Sequence, residues 1–110
     1  MLYKKIFTLI LILFIPISIY AQKELNFTYW GSTFEKKAVE DVIDDFNKSH
    51  PGVHVTAQHI PQNYDEKIMT MITGGNAPDV GYVGGDTVQL WATQGITKNL
   101  SPYFASDPDL

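Results

Sequence analysis

Between Leu25 and Gln94 the chain switches back and forth between two hydrophobic periods, and that switching narrows its possible folds more than any other feature. Leu25-Asn26-Phe27-Thr28-Tyr29-Trp30 alternates apolar and polar side chains with aromatic bulk, the period-2 pattern of a strand. Gly31 breaks it. Ser32-Thr33-Phe34-Glu35 then has the form of a capping box, in which the Ser32 hydroxyl accepts from the Glu35 amide and the Glu35 carboxylate accepts from the Ser32 amide. A helix is expected from Glu35 to about Lys48, with Ala38, Val39, Val42, Ile43 and Phe46 on one face and Lys36, Lys37, Glu40, Asp41, Asp44 and Asp45 solvated on the other. His50-Pro51-Gly52 ends it, because proline disfavours a helical residue before it.

The same grammar returns twice. Val53, Val55 and Ala57 alternate with His54, Thr56 and Gln58 as a second strand, and Asn63 is placed to cap a second helix whose buried side is Ile68, Met69, Met71 and Ile72. Gly74-Gly75 stops that helix, and Asp79-Val80-Gly81-Tyr82-Val83 reads as a short strand buried on both faces. Gly84-Gly85-Asp86 closes it, a third helix is expected from about Thr87 to Gln94, and Ser101-Pro102 opens one further turn. Strands and helices in such short alternation imply right-handed crossovers on a parallel sheet. The expected fold is therefore α/β, with three parallel strands in the order 2-1-3 and flanking helices. Two crossovers that leave a central strand in opposite directions create a topological switch point, and open α/β sheets bind ligands there, beyond the carboxyl ends of the strands. Trp30-Gly31-Ser32 and Gly84-Gly85-Asp86 flank that point.

The first residues are a different material. Met1 to Lys5 carry two lysines, Ile6 to Ile19 are almost wholly apolar, and Tyr20-Ala21 precedes the polar run Gln22-Lys23-Glu24. That order reads as a secretory signal peptide over residues 1–21. Pro16 interrupts the apolar run, which falls short of the roughly 18 to 20 residues that a spanning helix needs. Cleavage after Ala21 removes two of the eight lysines and none of the twelve acids, leaving 89 of the 110 residues with a formal charge of −6. With no arginine and only scattered lysines there is no cationic stripe for phosphates, so nucleic acid is not an expected partner. The sequence has no cysteine, and hence no disulfide framework, thiolate metal site, cysteine nucleophile or lipid-modified cysteine. A soluble periplasmic or secreted product fits this set.

Each residue at the switch point has a functional and a plain reading. Trp30, ending a strand beside a glycine, could present its indole face and one N–H donor to a sugar ring, or pack on the core as Phe27 does. Ser32 serves as a helix cap, and helix-start amides also receive hydroxylated ligands. Asp86 follows two glycines that let a ligand approach the backbone, and it is either a hydroxyl acceptor or an ordinary N-cap. Asp79 reads as a strand-entry residue. His50, His54 and His59 do not share a face, which disfavours a metal site. No phosphate loop, nucleophile elbow or HExxH is present, so neither an enzyme nor a cofactor is expected.

Four segments in order resemble the N-terminal part of the sugar-binding solute-binding proteins of ABC importers. They are Leu25 to Trp30, then Asp45-Phe46-Asn47 through His50-Pro51-Gly52-Val53-His54-Val55, then Gly74-Gly75-Asn76-Ala77-Pro78-Asp79-Val80, and Gln94-Gly95-Ile96-Thr97-Lys98-Asn99-Leu100. The resemblance implies a two-lobed receptor that closes on a sugar and delivers it to the membrane permease. It also implies ligand contacts at Trp30, Gly31 and Ser32, near Gln58, and at Asp86. An aromatic that can precede the Asp86 position in that family is replaced by Val83. Members of the family are several times longer, so residues 22–110 are expected to be part of an N-terminal lobe. The rival expectation is a small secreted structural or interaction module without a small-molecule ligand, in which Trp30 and Asp86 are only core and cap.

The charge of −6 and Asp86 at the switch point oppose a strongly anionic ligand and favour a neutral mono- or oligosaccharide. The signal-peptide reading has a direct check. Mass spectrometry of the exported protein should find Gln22 at its N-terminus, and an intact Met1 or a cut elsewhere would sink it.

Overall fold

The computed structural model describes residues 21–109, so the signal-peptide reading falls almost wholly on residues outside it. The elements are β1 (Lys23–Tyr29), α1 (Thr33–Ser49), β2 (Val53–His59), α2 (Tyr64–Thr73), β3 (Val80–Gly81), α3 (Gly85–Thr93) and α4 (Ser101–Ser106). The three strands are parallel, in the order β2-β1-β3, as the alternating periods imply. β1 pairs with β2 over its whole length, from Lys23 opposite Val53 to Tyr29 opposite His59, and with β3 only at Phe27–Val80 and Thr28–Gly81.

The capping box forms. The Glu35 amide donates to Ser32 Oγ at 3.3 Å, and the Ser32 amide donates to Glu35 Oε2 at 2.6 Å. Hydrogen bonding from the Ser32 amide first, and then from the Ser32 side chain, holds the Glu35 carboxyl below its ordinary value. Gly31 has φ 145°, and a Cβ there would lie 3.0 Å from the Glu35 Cβ, so only glycine makes this strand-to-helix turn without strain. At the other end of α1, Asn47 donates from Nδ2 to the Val55 carbonyl at 2.9 Å and accepts the Val55 amide on Oδ1 at 2.8 Å. Its side chain thus stands in for a strand partner on β2. The charged face of α1 is solvated as expected, with exposed Lys36–Glu40 and Lys37–Asp41 pairs that add little stability.

Period-2 geometry sends Leu25, Phe27 and Tyr29 to the α1 side of the sheet and Thr28 to the other. On that other side Ile60, Tyr64, Ile68 and Trp91 form the buried cluster, with Met69, Met71, Ile72, Val83 and Ile96 against it. One bond network joins the two layers. The buried Tyr64 hydroxyl donates to the Thr28 carbonyl at 3.1 Å and accepts from Thr28 Oγ1 at 2.8 Å, while the Tyr82 amide donates to the same carbonyl at 3.0 Å. Both lone pairs of that carbonyl are therefore used.

Three local expectations are corrected. Asn63 makes no side-chain cap: its backbone is left-handed at φ 52° and ψ 41°, a conformation asparagine tolerates, and its carbonyl accepts the Lys67 amide instead. The third strand is shorter and barer than a doubly buried one. Val80 and Gly81 lie at the edge of the described sheet, where Val80 stays 55% exposed. Asp79 fastens the entry to that strand, its Oδ2 accepting the Asn26 amide at 2.8 Å. α3 begins at Gly85 with Gly84 as its cap, so Asp86 sits within the first turn and is not the N-cap.

A Cβ on Gly81 would lie 2.6 Å from Thr28 Oγ1 and 2.8 Å from the Tyr64 hydroxyl. Gly81→Ala should therefore destabilise the complete protein by about 1–3 kcal/mol in urea unfolding, the usual cost of overpacking. Gly85→Ala, with nothing within 4 Å, is the control and should cost little. Burial pushes the Tyr64 phenol above its ordinary value, more than the Thr28 bond pulls it back. The unfolded chain ionises this tyrosine first, so its contribution is complete below the ordinary phenol value and is lost as pH rises through the higher folded one. Tyr64→Phe should flatten that alkaline fall in stability, and an unchanged slope would refute the assignment.

Candidate functional site at the switch point

α1 carries the chain from β1 to β2 and α2 carries it from β2 across β1 to β3, so the loops that follow the neighbouring strands β1 and β3 lie side by side at the carboxyl ends of the sheet. Trp30 is the first residue past β1. It is 37% exposed and lies outside the buried cluster, with its ring at a right angle to two tyrosines. Its centroid is 4.8 Å from that of Tyr64 at 74° and 5.2 Å from that of Tyr82 at 82°, the edge-to-face arrangement aromatic rings prefer. Gly31 beside it is pinned from β2, where His59 Nε2 donates to the Gly31 carbonyl at 2.8 Å.

Below Trp30 opens a concavity of about 430 Å³ lined by Trp30, Asn63, Tyr64, Asp65, Glu66 and Gly84. Asn63 and the first turn of α2 supply most of its polar groups. Asp65 is oriented by Thr87, whose Oγ1 donates to Asp65 Oδ2 at 2.8 Å. An apolar aromatic wall facing carboxylates and an amide suits a ligand with C–H faces and hydroxyl donors. Among the described residues no group of three His, Asp or Glu could hold a metal ion.

The residues singled out in the sequence are only partly gathered here. Trp30 lines the concavity, and Gly31, the next residue in the chain, does not. Ser32 is exposed, and its amide and hydroxyl both serve the capping box. Asp86 is exposed on the first turn of α3, two residues beyond Gly84, and does not line the concavity. Gln58 pairs with Thr28, one residue before the end of β2, and lines a separate hollow of about 220 Å³ with Asn26, Thr56, Met71 and Asn76. Conversely, Asn63, read from the sequence only as a helix cap, and Tyr64, Asp65 and Glu66 line the concavity without being marked by the sequence as site residues. Topology could have pointed to them, because a helix that follows β2 must begin at the same edge of the sheet where β1 ends.

The sequence profile of the bacterial extracellular solute-binding protein family matches residues 26–110. No match is found among curated proteins. Among solved structures, an extracellular solute-binding protein family 1 member from Alicyclobacillus acidocaldarius is 30% identical with a TM-score of 0.68, over 72% of this chain and 20% of its own. The ABC substrate-binding protein Lmo0181 from Listeria monocytogenes, in complex with cycloalternan, is 29% identical with a TM-score of 0.72, over 81% of this chain and 23% of its own. RafE from Streptococcus pneumoniae is 27% identical with a TM-score of 0.58, over 74% of this chain and 21% of its own, and it is also known in complex with raffinose. The chain thus spans about a fifth of the length of these proteins. The profile match over most of the chain, together with the shared α/β architecture, makes this chain a member of the bacterial extracellular solute-binding protein family.

Proposed function

We propose that the complete protein captures a neutral carbohydrate outside the inner membrane and hands it to the permease of an ABC importer. Residues 22–110 form part of one lobe in this reading, and residues 1–21 are the export signal removed after Ala21. The observation that carries it is Trp30, held half-exposed at the switch point above a concavity whose polar wall is acceptor-rich. A pyranose stacks its C–H face on such an indole while its hydroxyls donate to carboxylates. Two matched relatives support the ligand class, since one is complexed with cycloalternan and the other with raffinose.

In this role the protein binds without changing its ligand. One lobe offers one wall, and closure of a second lobe about a hinge surrounds the sugar and presents both lobes to the permease. Trp30, Gly31 and Ser32 supply the β1 side of the site. Asp86 and Gln58 lie outside the concavity beneath Trp30, and they enter the reading as contacts to the outer units of a longer sugar.

A thermal-shift screen of the complete protein decides the matter. Raffinose, cycloalternan or another neutral oligosaccharide should raise the melting temperature, and Trp30→Ala should weaken the best of them by about tenfold or more, the size of a buried aromatic anchor. Stabilisation by phosphorylated compounds or amino acids and by no sugar would overturn the proposal.

A further inference from the structure

Trp30 lies outside the buried cluster and meets it through the ring of Tyr64, and we infer that Tyr64 is the positioning residue of this site. Its hydroxyl, bonded twice to Thr28, sets the angle at which the indole faces the concavity. The consequence for sugar affinity rests on the carbohydrate reading above, whereas the geometry does not.

Trp30 follows the last paired residue of β1 and precedes a glycine, so no strand partner restrains it. Its neighbours must do so. Tyr82 is itself 40% exposed, while Tyr64 is 8% exposed and bonded at 2.8 and 3.1 Å to the side chain and carbonyl of Thr28. Gly81 closes the space behind it, since a Cβ there would already meet the Tyr64 hydroxyl at 2.8 Å. The ring is therefore a fixed wall, in contact with Trp30 on one side and lining the concavity on the other. A ligand that stacks on an indole gains most when the indole is already still, because freezing a mobile side chain on binding costs affinity. Thr28, buried in the central strand, is thus linked through one phenol to the orientation of Trp30.

Fluorine NMR of the complete protein labelled with 5-fluorotryptophan tests this, with the Trp30 signal identified by its loss in Trp30→Phe. Tyr64→Phe keeps the ring and removes both hydrogen bonds. Thr28→Val removes one of them at nearly constant shape. Both variants should shift or broaden the Trp30 signal in the ligand-free protein, and Tyr64→Phe should weaken raffinose binding by about three- to tenfold. Ile68→Val, a change in the same buried cluster, should leave the Trp30 signal in place. A Trp30 signal that both hydrogen-bond variants leave unmoved, or that Ile68→Val moves as much, would overturn the inference. Should Tyr64→Phe fail to fold, Thr28→Val alone decides by the same criterion. If Trp30→Ala leaves raffinose affinity unchanged while Tyr64→Phe still moves the Trp30 signal, the carbohydrate reading of Trp30 fails and its positioning by Tyr64 stands.

Discussion

The structure depends on a buried pair of hydroxyls. Thr28 sits on the central strand with its side chain fully enclosed, where an unpaired hydroxyl would be costly, and Tyr64 is the partner that makes its burial tolerable. The same phenol donates to the Thr28 carbonyl, which also receives the Tyr82 amide as β3 leaves the sheet. β1, the start of α2 and the end of β3 are thereby joined at one point. The missing side chain at Gly81 makes that junction possible, because a methyl group would occupy the space the two hydroxyls share.

The two faces of the sheet are unlike in consequence. On the α2 side the buried cluster of Ile60, Tyr64, Ile68 and Trp91 closes over Thr28. On the α1 side the helix has no fully buried residue, and an apolar hollow of about 280 Å³ lies among Phe27, Ile43, Phe46, Val55 and Val80. Tyr29 is fully enclosed on that side, and its hydroxyl has no partner among the described residues. Burial first, and then the nearby charge of Glu40, keep its phenol above the ordinary value. Packing here is looser than around Thr28, and Asn47 adds a two-bond polar link from α1 to Val55 of β2.

Placement of the site follows from topology and its chemistry from local turns. Parallel strands put every carboxyl end at one edge, so Trp30, the entry to α2 and Gly84 converge although they are far apart in the chain. The left-handed Asn63 and the turn at Gly31 then decide which side chains look into the opening. Asn63 spends its backbone on the turn and its side chain on no cap, which leaves the amide at the concavity.

The periodic parts of the fold are legible in the sequence because they are governed by neighbours in the chain. The strand pattern at Leu25–Trp30, the capping box at Ser32–Glu35 and the glycine stops depend on spacing alone, and the parallel order follows from the short alternation of elements. Trp30 and its glycine could be picked out as well, since the end of a central strand is a position that the sequence itself marks. What stayed hidden depends on distant partners. Tyr64 reads simply as the first apolar position of a helix, and nothing near it in sequence reveals that its hydroxyl meets Thr28, 36 residues earlier. Asp86 reads from the sequence as either a ligand contact or a cap, but the backbone begins the helix at Gly85 and carries the side chain past the capping role. Local periodicity thus determined which segments are strands and helices, while only the tertiary structure decided which polar side chains meet, because those meetings are chosen by burial and hydrogen-bond satisfaction across the fold.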